Sequence, residues 1–273
     1  TQMNTISYHI ALHPNQGETY IGEKDAILVH FIFDKNGLEQ VDNSIRDAID
    51  QASIDLLLDF PNSLQRYIDR TSIPGYKNWL QYLASKSHCC LILVTVNGGL
   101  QESILSFDNI TDWAAWKEWP HNGEAIKLHK GLLNAKKTPA ALLEIYQLGA
   151  VWFYGYFGSG SIVPANKLIP IYDYEWPKST YYSMPIEETF WGHFLNQPDV
   201  NVGELIPFFE SSLCYLMYDA DFKVYCGGVE EGSLWRTDLS LEEVLSRLFA
   251  EFAKKEGIGS IDLSKLLDKK NEL

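Results

Sequence analysis

The spacing of apolar residues along the chain predicts both strands and helices. Short runs rich in β-branched and aromatic residues predict strands over residues 5–12 and 26–34. Residues 89–107, CCLILVTVNGGLQESILSF, predict a hairpin. Its turn is Asn97-Gly98, a pair that supplies the positive φ angles of a tight type I′ turn. From Leu38 to Leu58 the apolar residues instead follow the spacing of a helix.

The second half of the chain predicts a similar mixture of elements. The stretch AALLEIYQLG (140–149) predicts a helix that Gly149 ends. The next segment, AVWFYGYFGSGSIVP (150–164), predicts a buried strand that runs into a glycine-rich loop. The remaining predictions are helices over 110–120, 186–195 and 202–209, a strand over 167–176, and a hairpin over 211–229 that turns at Asp219–Asp221.

The last long helix has the clearest signals of its start and its face. Ser240 and Glu243 have the spacing of a capping box, in which each residue satisfies a backbone donor of the other. Apolar residues then recur at helical spacing through Leu241, Val244, Leu245, Leu248, Phe249 and Phe252. Because strands and helices do not alternate regularly as βαβ units, the sequence predicts the α+β class, with a mostly antiparallel sheet flanked by amphipathic helices.

Length and local composition suggest where the chain divides. A chain of 273 residues has the length of one large domain or two small ones. The polar run NAKKTP (134–139) is the best candidate for a linker. We therefore predict an N-terminal α+β subdomain over 1–136 and a C-terminal α+β subdomain over 137–273, with one continuous domain as the alternative.

The net charge restricts the classes of partner. It is −14, and residues 139–238 alone hold 13 acidic and 4 basic residues. Nucleic-acid binding needs clustered lysine and arginine, so the charge argues against it and favours a basic protein partner. The N-terminal residues lack the basic start and unbroken apolar run of a signal peptide, and no apolar run is long enough to span a membrane. We therefore expect a cytoplasmic protein without a membrane partner.

The sequence contains no motif that names a reaction. The glycines at 155, 158 and 160 fit neither a dinucleotide fingerprint nor a phosphate loop, and no metal-binding histidine motif occurs. We therefore predict no catalytic residue, no metal and no cofactor. The enzyme alternative is a hydrolase in which the fold brings His121, His129 or His193 beside a carboxylate.

Aromatic and acidic residues between 150 and 236 are the candidates for a partner-binding surface. Aromatic side chains anchor protein interfaces, and acidic side chains steer a basic partner toward them. Burial in the core is an equally good interpretation for each aromatic residue by itself. The residues predicted to bind a partner are Tyr154, Tyr156, Tyr172, Asp173, Glu175 and Trp176.

The C-terminal third of the chain resembles a known family. Residues 213–252, LCYLMYDADFKVYCGGVEEGSLWRTDLSLEEVLSRLFAEF, and the segment LLLDFPNSLQRYI (56–68) resemble SUKH-type immunity proteins of bacterial polymorphic toxin systems. The resemblance implies a non-enzymatic antidote that binds and neutralises a cognate toxin. The alternative within the binding class is a phage- or host-encoded inhibitor or adaptor that binds another protein.

Overall fold

The fold was analysed in a computed structural model, which describes most of the chain but not all of it. The described ranges are 5–8, 27–86, 89–107, 125–129, 138–155, 158–163, 165, 168–173, 200–211, 214–228, 233–254, 262–269 and 271–272. The helices predicted over 110–120 and 186–195 lie outside these ranges, as does the proposed boundary between residues 136 and 137.

The strands that the structure describes form one antiparallel sheet, in which each strand pairs with its neighbours in sequence. The order is β1 to β12 without a crossover, and all eleven pairings are antiparallel. This arrangement, together with the helices described below, confirms the predicted α+β class. The strands are β1 (Thr5–Tyr8), β2 (Ile27–Ile32), β3 (Cys90–Val96), β4 (Gly99–Ser106), β5 (Ala125–His129), β6 (Ala150–Gly155), β7 (Gly158–Ile162), β8 (Ile206–Ser211), β9 (Cys214–Tyr218), β10 (Val224–Gly228), β11 (Leu234–Arg236) and β12 (Asn271–Glu272).

The hairpin predicted around Asn97-Gly98 forms between β3 and β4. Asn97 has a φ of 51° and Gly98 a φ of 81°, as a type I′ turn requires. Leu91 and Leu93 of β3 belong to the main hydrophobic core. The turn residues and the continuous apolar run of β3 were both visible in the sequence.

The described helices lie in two groups, one before β3 and one in the second half of the chain. The predicted helical stretch from Leu38 to Leu58 is divided into three short helices, although Val41, Ile45, Ile49 and Leu56 are buried as expected. Aspartates occupy the N-cap positions at which the second and third of these helices begin, Asp42 and Asp50. The helices are α1 (Lys35–Glu39), α2 (Asn43–Arg46), α3 (Gln51–Leu58), α4 (Gln65–Arg70), α5 (Pro74–Ala84), α6 (Ala140–Tyr146), α7 (Leu241–Phe252) and α8 (Leu263–Leu266).

Helix α7 begins at the predicted capping box. Ser240 Oγ accepts a hydrogen bond of 3.1 Å from the Glu243 backbone N–H, and Glu243 Oε2 accepts one of 3.0 Å from the Ser240 backbone N–H. All six apolar residues of the predicted helix face are buried. The helix therefore packs into the core along the face that the sequence indicates.

Helices α5 and α7 pack against each other at the centre of the main core. Tyr76 and Trp79 of α5 meet Phe249 of α7 edge to face, with ring centroids 4.9 and 5.2 Å from that of Phe249. The Gly75 backbone N–H donates to Ser246 Oγ at 2.9 Å. The main core therefore joins residues from before and after position 136. The predicted division of the chain into two subdomains stays a prediction.

The opposite face of the sheet carries a smaller apolar cluster in the C-terminal half. It contains Met217 of β9, Tyr225 of β10 and Leu234 of β11. Two short 3₁₀ turns cover it, Ile171–Asp173 and Val202–Glu204. Strands β9, β10 and β11 therefore contribute buried residues on both faces.

Three local predictions in the second half are wrong. The strand predicted over 167–176 is instead a 3₁₀ turn at Ile171–Asp173, closed by the Asp173 backbone N–H donating to the Pro170 carbonyl at 2.9 Å. The helix predicted over 202–209 is a turn followed by β8, where Pro207 would disrupt a helix and instead adjoins an irregular register. The glycine-rich loop predicted after β6 contains a further strand, β7.

Candidate protein-binding site

The structure describes half of the six predicted partner-binding residues. Tyr154 lies in β6, opposite Ala125 of β5 and Ser159 of β7. Tyr172 and Asp173 lie in the 3₁₀ turn Ile171–Asp173, and Asp173 is exposed. The other three, Tyr156, Glu175 and Trp176, lie outside the described residues. The predicted surface as a whole stays a prediction.

The turn between β9 and β10 is held in shape by one carboxylate. Asp219 Oδ1 accepts hydrogen bonds of 2.9 Å from the backbone N–H groups of both Asp221 and Lys223. Its other oxygen, Oδ2, accepts from the Tyr225 hydroxyl at 3.2 Å. Burial raises the pKa of Tyr225, and the negative charge of Asp219 raises it further, so the phenol remains a donor at neutral pH.

Phe222, in the same turn, combines strain with exposure. Its φ is 60°, in the left-handed region that bulky side chains rarely adopt. Its backbone N–H donates to the Asp219 carbonyl at 2.9 Å, and half of its side chain is exposed. Its ring lies against the ring of Tyr218, with centroids 5.9 Å apart. A strained backbone that displays a large apolar side chain is a reason to look for function there.

The fold brings further acidic residues to the same end of the sheet. Ile206, the first residue of β8, pairs with Tyr218, the last residue of β9. The Ile171 backbone N–H donates to the Leu205 carbonyl at 3.0 Å, so the turn that carries Asp173 lies beside the start of β8. We call the resulting surface the hairpin-end surface; it consists of Asp173, Glu204, Asp219, Asp221 and Phe222.

The hairpin-end surface has an excess of negative charge. Asp173, Glu204 and Asp221 are exposed, and Asp219 is half-buried. The basic residues nearest in sequence are Lys223, which is exposed in the turn, and Arg236, which pairs with Tyr225 across β10 and β11. An exposed aromatic ring among carboxylates fits a basic partner with an apolar pocket.

The sequence indicated this turn but not its exposed ring. The hairpin was predicted to turn at Asp219–Asp221, and the structure confirms the turn. Phe222 is absent from the predicted partner-binding residues, and sequence alone does not reveal its exposure, because an aromatic residue beside a strand is usually buried. The signal that could have found it is its place directly after two turn-forming aspartates, where the chain often adopts a positive φ.

The described residues do not form a metal centre, and Cys214 is the described cysteine whose pKa is lowered, by hydrogen bonds with Cys226 and Ser211. Among them, no group of three or more His, Cys, Asp and Glu side chains could hold a metal ion. The four cysteines are buried as free thiols, and burial raises the pKa of Cys90 to about 12, which disfavours the nucleophilic thiolate. His121, His193 and the side chain of His129 lie outside the described part, so the hydrolase alternative stays untested there.

Comparisons with known proteins give no family for this chain. No family model, curated protein or solved structure matches it. In the ranges that the structure describes, no helix has both the length and the apolar character needed to cross a membrane. Function must therefore be inferred from the residues of the chain itself.

Proposed function

We propose that this chain is a non-enzymatic immunity protein, which binds and neutralises a cognate bacterial toxin through an acidic, aromatic surface centred on the hairpin end. The observation that carries the proposal is Phe222, which is half exposed on a strained backbone. A left-handed conformation costs a bulky residue about 1–2 kcal/mol. A favourable contact between this side chain and a partner would offset the cost of the left-handed conformation.

The fixed shape of the turn supports a role in binding. The two strands and the Asp219 hydrogen bonds hold Phe222 in one position before a partner arrives. A preorganised aromatic anchor loses little conformational entropy on binding, so more of its contact energy appears as affinity. Anchors of this kind contribute about 2 kcal/mol or more each at protein interfaces.

The charge of the chain supports a basic partner. The net charge is −14, and the exposed Asp221 lies next to Phe222 in the turn. Such a field speeds association with a basic protein, particularly at low salt. The proposal that the partner is a toxin rests on the resemblance of residues 213–252 to SUKH-type immunity proteins. This segment contains the β9–β10 turn and α7. An inhibitor or adaptor that binds another basic protein would use the same surface.

The test compares the wild-type chain with two matched variants in a pull-down from the source cells. Phe222→Asn removes the ring and places at this φ a residue that tolerates it, so the free protein should stay folded. Leu58→Ser removes the other large apolar side chain exposed in the described residues, on α3. We expect F222N to weaken capture of a basic protein by about 30-fold and L58S to leave it unchanged.

Two further results separate a toxin from other partners. The captured protein should be toxic when expressed alone, and co-expression of the wild-type chain, but not of F222N, should restore growth. Asp221→Lys should slow association and reduce its dependence on salt, because that side chain is exposed and steers the partner. Equal capture by wild type and F222N would refute the role of the hairpin end, and a captured protein without toxicity would favour the inhibitor or adaptor.

A further inference from the structure

A cleft on the helical side of the molecule lies apart from the hairpin end. It has a volume of about 590 Å³ and lies between α4 and α6, with a side chain of α5 between them. This volume is within the usual range for sites that hold small molecules. The lining residues that matter here are Arg66, Tyr67, Arg70, Tyr76, Leu143 and Glu144.

Two guanidinium groups line one wall of the cleft. Arg66 and Arg70 are one turn apart on α4, and both are exposed. Within the described part of the chain, neither forms an ion pair with a carboxylate. Arg66 Nη2 donates to the Tyr67 hydroxyl at 2.9 Å, and its guanidinium carbon lies 4.8 Å from the centre of the Tyr67 ring. Like charges at this spacing repel each other, and an anion between them would remove the repulsion.

Glu144 carries the one carboxylate among the described residues that line the cleft, and it already accepts several hydrogen bonds. Glu144 of α6 accepts hydrogen bonds from the Thr71 hydroxyl, from the Ser72 backbone N–H at 2.8 Å and from the Ser72 hydroxyl at 2.9 Å. These bonds connect α6 to the segment between α4 and α5. Glu144 therefore has a structural role, and it forms no ion pair with Arg66 or Arg70.

A buried hydroxyl without a partner completes the polar lining. Tyr76 is 2% exposed, and its hydroxyl has no hydrogen-bond partner in the structure although the residue lines the cleft. Its ring is fixed by Trp79 and Phe249, with centroids 5.8 and 4.9 Å away. Burial raises its pKa, and the charges of Glu144 and Tyr67 add to this effect, so the hydroxyl stays a donor. A buried donor of this kind is costly unless something accepts from it.

We propose that this cleft binds an anionic small molecule, whose phosphate or carboxylate group is held by Arg66 and Arg70 and accepts a hydrogen bond from Tyr76. Guanidinium groups match these oxyanions in geometry and bind them with two parallel hydrogen bonds. The half-buried side chains of Tyr67 and Leu143 line the cleft and supply the surface for an apolar or planar body of the ligand. The site does not depend on the proposed binding of a toxin.

The test measures binding of three probes by titration calorimetry at low salt: inorganic phosphate, benzoate and adenosine 5′-monophosphate. We expect at least one probe to bind with a Kd below 1 mM, and Arg70→Gln and Arg66→Gln each to weaken that binding about tenfold or more. Arg46→Gln is the matched control, because Arg46 is a half-buried arginine on α2 outside the cleft. Tighter binding of the phosphates or of benzoate identifies which oxyanion the site prefers.

The variant Tyr76→Phe distinguishes a role of the Tyr76 hydroxyl in ligand binding from a role in the stability of the free protein. Removing an unpaired buried hydroxyl should leave the melting temperature of the free protein unchanged or higher. The same variant should bind the best probe about tenfold more weakly, because the ligand loses a donor. The proposal is overturned if all three probes fail to bind below 1 mM, or if R66Q, R70Q and Y76F bind the best probe as tightly as R46Q does.

Discussion

His30 lies in the middle of β2 and is a buried residue that can gain a proton in mildly acidic solution. Its side chain is 7% exposed, and neither ring nitrogen has a hydrogen-bond partner in the structure. It pairs with Thr5 on one side and Leu93 on the other. Burial lowers the pKa of His30 from its usual 6.5, and the negative charge of Asp42 partly opposes this effect.

His30 should therefore make stability depend on pH in mildly acidic solution. Because its pKa is lower in the folded state, the unfolded chain binds more protons as the pH falls below 6.5. Stability is then lost between pH 6.5 and the lower folded pKa, by at most about 1.4 kcal/mol for each pH unit. We expect His30→Leu to reduce this loss in urea unfolding curves measured from pH 7.5 to 5. Parallel pH profiles for wild type and H30L would contradict the assignment.

At the scale of elements, local chemistry predicted some parts of the fold well. Ser240 and Glu243 identified the start of α7, and Asn97-Gly98 identified the β3–β4 turn, because each signal involves residues adjacent in sequence. β8 was predicted as a helix, because its pairing with β7 and β9 is a tertiary contact that overrides local apolar spacing. The exposure of Phe222 also depends on which strands surround its turn.

The packing of α5 on α7 should not tolerate a larger residue at Gly75. A Cβ atom there would lie 1.6 Å from the Ser246 backbone oxygen, so the two helices would have to separate. We expect Gly75→Ala to lower the free energy of unfolding by about 3 kcal/mol, at the upper end of the usual cost of overpacking. Gly99→Ala is the matched control, because the nearest atom to its Cβ is the Val96 oxygen at 3.6 Å. A similar urea midpoint for G75A and wild type would contradict this contact.

At the scale of the whole molecule, the net charge favours a class of partner, which stays a prediction, but it indicates no position for the binding site. The excess of acidic residues in 139–238 favoured a basic partner, and Asp173 and Tyr172 were selected from this segment. Their position beside the β9–β10 turn follows from the pairing of β8 with β9 and from the Ile171–Leu205 hydrogen bond. The cleft was not predicted either, since Arg66 and Glu144 come together only when α4 and α6 pack.

The whole chain should fold as one cooperative unit. The strand β5 pairs with β6, the rings of Tyr76 and Trp79 pack on Phe249, and Glu144 bonds to Thr71 and Ser72, so many contacts cross position 136.

We therefore expect the fragments 1–136 and 137–273, produced separately, to show no cooperative urea transition, because each would expose half of the main core to water. Produced together, the fragments should recover the near-ultraviolet circular dichroism of the intact chain, since the aromatic cluster of α5 and α7 forms only when both are present. A cooperative transition in either isolated fragment would instead support two subdomains.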